Sequence, residues 1–246
     1  MNRISLKNNY IKIYNEVATK GDVGIFGGSQ EWFEGLEYQN FARQGCGAIA
    51  AIDVALYLTD KRTVNMEEYR YHVKEFLKGV RLAGLFMKEI RIRKYGNSFA
   101  VGITPKQIYS YLNKKMTITG KNIRFRWNGI NGNANMYRMI KIQIAKDIPV
   151  ILGLYSKGKS IRLYSLENIE DIKYQGTGIS INSHYVTVTA VVENDIPNAP
   201  HRRMLEVSSW GRKYFIDYDE YLDFVGQSFI SKYCSNIISV KYLDYD

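Results

Sequence analysis

The hydrophobic pattern has a helical period early in the chain and an alternating period later. Residues 46–58 read CGAIAAIDVALYL, a run of strong helix formers with few polar residues. This composition predicts a largely buried helix. Asn65, as an N-cap before two acids, and Pro105, in a first turn, mark two further helix starts. The predicted helices are 46–58, 65–78, 105–114 and 136–146.

The later part of the chain has runs of β-branched and aromatic residues that are typical of strands. HYVTVTAVV, which starts at His184, alternates in this way, and IPVILGL forms a continuous apolar run. The segment GTGISINS before His184 predicts a turn. The predicted strands are 148–154, 184–192, 203–209, 213–217 and 236–242. Helices early and strands late predict an α+β fold.

Length and composition predict one domain of ordinary globular type. The chain has 246 residues, 46% of them hydrophobic, and only 4 prolines. No Ser/Gly-rich linker, low-complexity segment or internal repeat interrupts it. We therefore expect a single domain over residues 1–246, with an N-terminal extension at 1–35, a helical part at about 36–135 and a β part at about 136–246.

Cys46 and His184 are the candidate nucleophile and base. Cys46 lies between two glycines at the start of a predicted helix. There, unpaired N–H groups and the helix dipole favour a thiolate and could stabilise an oxyanion. His184 begins a predicted strand, which is a rigid element. The alternative for Cys46 is a small buried residue that fills a packing gap, and this interpretation is kept for Cys234.

The other two histidines are weaker candidates for the base. His72 lies in the amphipathic segment EEYRYHVKEFLKGV, which predicts a surface or edge position on a helix. His201 lies in a loop beside Arg202 and Arg203, and the two cations disfavour its charged form.

A third segment, LEVSSWGRKYFI, follows the histidine strand. With RQGCGAIAAI and NSHYVTVTAVV before it, the order resembles that of papain-fold cysteine peptidases, especially the bacterial group related to bacteriocin-leader-processing peptidases. The resemblance covers roughly residues 38–56 and 136–225. It implies a papain-like fold, with the cysteine at a helix start, the histidine on an antiparallel sheet, and a cleft between them.

The resemblance also implies a third catalytic residue and an oxyanion-hole glutamine, and the chain departs from the pattern at both. Ser208 stands where the family has Asn or Asp before Trp-Gly. A serine can orient the imidazole of His184 but brings no negative charge. Glu206 is a fallback, because strand alternation points it to the same face as Ser208.

The glutamine of the family lies six residues before the cysteine, which in this chain is Asn40. Gln39 is seven residues before Cys46, and Gln44 is two before it. We prefer Gln39 as the oxyanion donor, because one extra residue in the loop would let it reach the site. Asn40 remains the alternative.

The charge and the remaining motifs narrow the choice of partners. The net charge is +10 and the chain has 20 tyrosines, so single-stranded nucleic acid has to be considered. The basic segments alternate like strands with one solvated face, so we expect a solvated surface and no nucleic-acid partner. If the charge has a function, attraction to acidic peptides or cell-envelope polymers is as plausible as nucleic acid. No HExxH, CxxC or GK[ST] pattern is present, and we expect no metal and no cofactor.

The compartment is predicted from cysteine usage and hydropathy. Two cysteines provide no disulfide framework, which suits a reducing compartment. The first 21 residues lack the apolar core of a secretory signal, and no run approaches the about 20 residues that span a bilayer. We expect a cytoplasmic protein without a membrane span.

The sequence thus predicts cysteine-dependent amide hydrolysis or acyl transfer, most simply a peptidase acting on a peptide or protein substrate. Cys46 would attack the carbonyl, His184 would carry the proton, Ser208 would orient the ring, and Gln39 with the Cys46 N–H would hold the oxyanion. The rival prediction is a catalytically silent papain-fold module whose basic surface binds an anionic partner. Only an active site needs a Cys46 thiolate that depends on His184.

Overall fold

One large antiparallel sheet with helices packed against it organises the molecule. The computed structural model describes residues 2–14, 26–33, 41–81, 89–91, 98–100, 102–129, 132–168, 173–194, 200–226 and 228–242. Helices and strands are mixed within these ranges and the main sheet is antiparallel, so the predicted α+β class is confirmed.

The helices lie both before and after the long central strands. They are α1 Phe41–Gln44, α2 Cys46–Leu58, α3 Met66–Arg81, α4 Pro105–Ile118, α5 Met136–Ala145, α6 Tyr218–Val225 and α7 Phe229–Cys234. A short 3₁₀ helix covers Gln30–Phe33. The four predicted helices are thus confirmed, and two of them extend beyond their predicted ends by about one turn.

The strands form one nine-stranded sheet and two small ones. They are β1 Asn2–Ser5, β2 Lys12–Tyr14, β3 Thr63–Asn65, β4 Glu89–Arg91, β5 Ser98–Ala100, β6 Ile123–Trp127, β7 Val150–Tyr155, β8 Ile161–Asn168, β9 Lys173–Ile181, β10 Ser183–Glu193, β11 Arg203–Ser209, β12 Arg212–Asp217 and β13 Ile237–Tyr242. The large sheet has the order β6-β13-β7-β10-β11-β12-β8-β9, and β1 pairs with the far end of β10. β10 therefore lies inside the sheet, between β7 and β11.

The sheet differs from the prediction in several places, one of which is β8, a strand that was not predicted. GTGISINS, expected as a turn, forms the end of β9, and the chain reverses at Asn182 before β10. β1 and β6 come from the segments assigned to the N-terminal extension and the helical part, yet both pair in the large sheet. The boundary at about residue 136 therefore does not separate helices from sheet.

Helix α2 is the centre of the core. Every residue from Gly47 to Leu58 is buried, because the helix packs between the sheet and the other early helices. A Cβ atom on Gly47 would lie 3.0–3.1 Å from side-chain atoms of Ile103, Ile108 and Tyr185. Glycine thus lets the start of α2 approach β10 closely. None of the described helices has the length and apolar character needed to cross a membrane.

Helix α4 begins with a capping box beside the functional cleft described below. The Thr104 hydroxyl accepts from the Gln107 N–H, and the Gln107 side chain accepts from the Thr104 N–H at 2.8 Å. Pro105 follows as the first helical residue, where its missing N–H costs nothing. These three residues fix where the helix starts.

Replacing Thr104 by Ala should lower the free energy of unfolding by about 1 kcal/mol, because helix α4 loses its cap. Thr117→Ala, in the last turn of the same helix, serves as the control. Its hydroxyl only bonds back to the Asn113 carbonyl, so it should be close to neutral. Urea unfolding of the three proteins measures both effects, and equal losses in the two variants would contradict the capping role.

Candidate functional site

Helix α2 places Cys46 at its first residue, against the start of β10. Gly45 is the N-cap and has no side chain to occupy the first N–H groups. The backbone N–H groups of Tyr185, Gly47 and Cys46 itself are directed at the Cys46 sulfur. The Tyr185 N–H comes from the residue after His184, so the predicted nucleophile and base lie on adjoining pieces of backbone.

His184 is the second residue of β10 and is held on two sides. Its Nε2 lies 2.7 Å from Ser209 Oγ. Its ring stacks on the indole of Trp210, with a centroid separation of 4.4 Å and an interplanar angle of 17°. Because Nε2 is engaged by Ser209, Nδ1 is the ring nitrogen left to exchange a proton with a neighbour.

The turn between β11 and β12 positions Trp210. Trp210 and Gly211 have φ of 48° and 71°, and positive φ at both central residues suits a two-residue hairpin. A positive φ is uncommon for a bulky residue and concentrates at functional sites. The turn is tied to an earlier loop, because Gly211 N–H donates to the Gly28 carbonyl at 2.9 Å and Phe26 N–H donates to the Gly211 carbonyl at 2.8 Å.

The serine in contact with His184 is Ser209 rather than Ser208. Ser208 Oγ instead donates to the Phe26 carbonyl at 2.7 Å. The reason is strand alternation: consecutive side chains of β11 point to opposite faces, and Ser208 lies opposite Thr187 of β10. Ser209, beside the Trp210 turn, is the residue on the side of His184.

Glu206, the fallback, also has a different role. It is buried, accepts from Arg3 at 2.7 Å and from the Thr189 hydroxyl at 2.9 Å, and lies 3.3 Å from Lys213 Nζ. Glu206 is therefore a structural anion that balances cations on β1 and β12, and it does not orient His184.

The oxyanion candidates fall in three different places. Gln39 and Asn40 lie outside the described residues. Gln44 is buried in α1 and lines the cleft, and its Oε1 has no partner among the described groups. Gln30, which the sequence reasoning missed, is 6% exposed and borders a small cavity with Cys46 and His184. The glycine pair before it in GGSQEWF was the available signal.

A cleft of about 460 Å³ opens at Cys46 and His184. Its walls come from α1, α2, the start of α4 and the ends of β7 and β10. Arg43 is the only charged residue among the described lining residues. The lining is Arg43, Gln44, Cys46, Gly102, Ile103, Thr104, Pro105, Gly153, Leu154, Tyr155, Ser183, His184, Tyr185 and Cys234. A groove of this size, with one charged residue among its described lining residues, can take an extended segment of uncharged chain.

Cys234 and the two other histidines are also located. Cys234 is the last residue of α7, and it lines the cleft. His201 Nδ1 lies 2.8 Å from Asp217 Oδ2. The sequence indicated only the two neighbouring arginines and not this carboxylate. His72 lies between Glu68 and Glu75 on α3. Neither His72 nor His201 lines the cleft.

Asp53 is the second functional candidate that the sequence reasoning missed. It is 2% exposed, and it accepts from Gly28 N–H at 2.9 Å and from the Tyr69 hydroxyl at 2.7 Å. It borders the small cavity, of about 10 Å³, that Cys46 and His184 also border. The signal was present in the sequence, because Asp53 is the only charged residue in CGAIAAIDVALYL.

Burial controls the charges at the site. Burial raises the pKa of the Cys46 thiol, and the three N–H groups at the sulfur only partly oppose this. Burial lowers the pKa of His184 to about 4. At neutral pH the resting pair is therefore an uncharged thiol and an uncharged imidazole. The expected resting thiolate is not what this environment favours, because desolvation exceeds the effect of the helix N-terminus.

Comparisons with protein-family models, with curated proteins and with solved structures found no match. The relation of this chain to papain-type peptidases therefore stays a prediction from its sequence, and the assignment of function depends on the geometry above.

The buried pair His184 and Asp53 should give opposite contributions to the pH dependence of stability. His184 has a folded pKa of about 4, below the ordinary 6.5 or so, so its contribution to stability rises from pH 4 to pH 6.5. The pKa of Asp53 is raised to about 7 by burial, from about 3.9 when unfolded, so its contribution is lost as pH rises from 4 to 7. The two largely offset each other in the wild type.

Single substitutions should reveal each contribution. Relative to wild type, Asp53→Asn should gain stability and His184→Gln should lose stability as pH rises from about 4.5 to 6.5, each by a few kcal/mol at about 1.4 kcal/mol per pH unit. Urea unfolding at several pH values measures the two differences. Slopes of the same sign, or differences that do not change with pH, would contradict the assigned ionisation.

Proposed function

We propose that the protein is a cysteine-dependent amide hydrolase or acyltransferase of papain-like architecture, most simply a peptidase. The observation that carries the proposal is the meeting of Cys46, at the first residue of a buried helix, with β10 at the residue after His184. Both side chains line one cleft, and the imidazole is fixed by Ser209 and Trp210. A thiol and an oriented imidazole in one cleft are the groups that thiol acyl transfer uses.

The first half of the reaction begins from the neutral pair. In the tautomer with its hydrogen on Nε2, His184 donates to Ser209 Oγ and keeps a lone pair on Nδ1. Nδ1 takes the thiol proton while Cys46 Sγ forms a bond to the substrate carbonyl carbon, and the carbonyl electrons move to oxygen. When the tetrahedral intermediate collapses, the C–N bond breaks and the imidazolium returns its proton to the leaving amine.

The second half regenerates the thiol. A water molecule attacks the Cys46 thioester, His184 accepts its proton, and the C–S bond breaks to release a carboxylic acid as the proton passes to sulfur. If an amine attacks in place of water, the same steps give a new amide. Hydrolysis and transfer therefore differ only in which nucleophile reaches the cleft.

The oxyanion needs donors that are aligned before the reaction. The Cys46 N–H lies in the first turn of α2, and Gln30 borders the cavity shared by Cys46 and His184. We assign the oxyanion site to these two groups within the described part of the chain. Gln30→Ala should then lower kcat by about 10²–10³ if its amide is one of the donors.

Because Cys46 and His184 are neutral at rest, thiol reactivity alone does not distinguish an enzyme from a silent binding module. Because burial raises the pKa of the Cys46 thiol, its alkylation by iodoacetamide should have a midpoint above the value of an ordinary cysteine, near 8.5. Catalysis by proton transfer does not need a resting thiolate, but it does need His184. Turnover and resting reactivity are therefore separate measurements.

Turnover is best measured with a peptide library, with the products read by mass spectrometry. Cys46→Ala and His184→Ala should each lower the rate of cleavage by at least about 10³. Cys234→Ala is the control, since it removes the other thiol of the same cleft. Trapping of an acyl group on Cys46 with an activated ester, seen by intact mass, would identify the intermediate. Binding of peptides without cleavage or acylation in the wild type would favour the silent module.

The two serines before Trp210 should behave differently. Ser209→Ala removes the acceptor for His184 Nε2, so it should lower kcat by about tenfold or more with little change in KM. Ser208→Ala removes the donor to the Phe26 carbonyl, so it should lower thermal stability more than kcat. Steady-state kinetics and thermal unfolding of both variants distinguish the roles, and a larger kcat loss in Ser208→Ala would restore Ser208 as the orienting residue.

A further inference from the structure

We infer that Asp53 is a positioning residue that sets the charge state of His184, replacing the anion that Ser208 and Ser209 cannot provide. The inference rests on the proposed function, since it assigns Asp53 to the same thiol chemistry. It comes from the helix that carries the nucleophile, rather than from the segment before Trp210 in which the third residue was expected.

Helix geometry brings Asp53 to the site. Asp53 is seven residues after Cys46 in α2, and seven residues make nearly two turns, so the two side chains lie on one face. That face is directed at β10 and β11, because Cys46, Asp53, Thr187 and Ser208 all border the small cavity that His184 also borders. The helix thus presents the thiol and the carboxyl to the same end of the sheet.

The loop at residues 26–29 holds the Asp53 carboxyl close to β11. A Cβ atom on Gly27 would lie 2.3 Å from Ser208 Oγ and 2.6 Å from Asp53 Oδ2, so both oxygens approach the same side of this glycine. Gly27 has a φ of 78°, and Gly28 donates its N–H to the same Asp53 oxygen. A Cβ atom on Gly28 would lie 2.0 Å from the Tyr69 hydroxyl, which binds the other carboxyl oxygen. The glycine pair is therefore required for the carboxyl to be enclosed.

The space between Asp53 and His184 is small and polar. The cavity of about 10 Å³ is close to the volume that a single water needs, and Thr187, Ser208 and Ser209 are among the residues that border it. One water there can join the carboxyl to the groups around the imidazole. A direct ion pair is not needed, because a charge in such an enclosed space acts over several ångströms.

The other titratable groups around Asp53 are Tyr69 on α3, Tyr10 before β2, and Cys46 on its own helix. Burial and the Asp53 charge raise the pKa of Tyr10 and Tyr69, so both phenols stay neutral near neutral pH. No basic group contributes to the shift of Asp53. Among the residues that border the shared cavity, His184 is the one that becomes a cation in the proposed reaction.

The consequence is that the charge of Asp53 changes the free energy needed to charge His184. When Asp53 is ionised, it stabilises the imidazolium that forms as Cys46 loses its proton. When Asp53 is protonated, the imidazolium has no counter-charge and its formation costs more. His184 is neutral near pH 7, so the ionisation of Asp53 there should be detected at the imidazole as a change in the neighbouring charge.

The test is the titration of the His184 ring, followed by ¹⁵N NMR in the full-length protein and assigned by loss of the signal in His184→Gln. In the wild type, the ring nitrogens should shift between about pH 6 and 8, together with the Asp53 carboxyl carbon. Asp53→Asn should lose that step and keep only the titration near pH 4. Asp60→Asn, an exposed acid just after the same helix, should keep the step and serves as the control for charge.

Two outcomes would overturn the inference: a His184 step that persists in Asp53→Asn, or a wild-type ring that does not respond between about pH 6 and 8. If Asp53→Asn does not fold, Tyr69→Phe decides the matter. The Tyr69 hydrogen bond lowers the pKa of Asp53, so its loss should move the His184 step to higher pH. A step that stays at the wild-type position in Tyr69→Phe overturns the inference.

Kinetics separate this inference from the proposed function. The ratio of kcat/KM in wild type to that in Asp53→Asn should be near one at about pH 5.5 and about tenfold or more at pH 8.5, the effect expected of a nearby charge. A His184-dependent turnover with a constant ratio would overturn the role of Asp53 and leave the enzyme. An Asp53-linked titration of His184 without any acyl transfer would overturn the enzyme and leave the coupling.

Discussion

The complete burial of α2 is the constraint on which the rest of the structure depends. A helix that is apolar on all sides must be covered on all sides, and the sheet, the other early helices and the loop at 26–29 provide that cover. Its first residue is consequently fixed against β10, with Gly47 allowing the close approach. The position of Cys46 is thus decided by core packing rather than by contacts of the thiol.

The burial of α2 also disfavours the charged forms of the side chains at the candidate site. Asp53 and His184 are buried and Cys46 is partly buried, and burial moves the pKa of each toward its uncharged form. The burial of three neutral groups costs little free energy, whereas the burial of three charged groups would cost much more. The site is therefore compatible with a stable core at rest and becomes charged only when a proton moves between its members.

The sequence predicted the elements better than it predicted the side-chain partners. Periodicity located α2 at its observed bounds and β11 at its observed bounds, because both lie in the core where pattern and packing agree. It missed β9, since KYQGTGISI has two glycines and an exposed face that resemble a turn. It also could not reveal that β1 and β6 join the large sheet, because strand pairing depends on contacts between distant segments.

The candidate site illustrates the same limit at single-residue scale. Cys46 and His184 could be identified from glycine flanks and strand position, whereas the choice between Ser208 and Ser209 depends on which face each occupies beside a turn with positive φ. Asp53, in contrast, could be recognised from the sequence alone. A charge inside an apolar helix cannot be left without partners in a folded core, so its presence alone requires a polar region against α2. That region contains Gly28, Tyr69 and the residues that share the small cavity with His184, so a single buried acid in the sequence marks a polar region in the core.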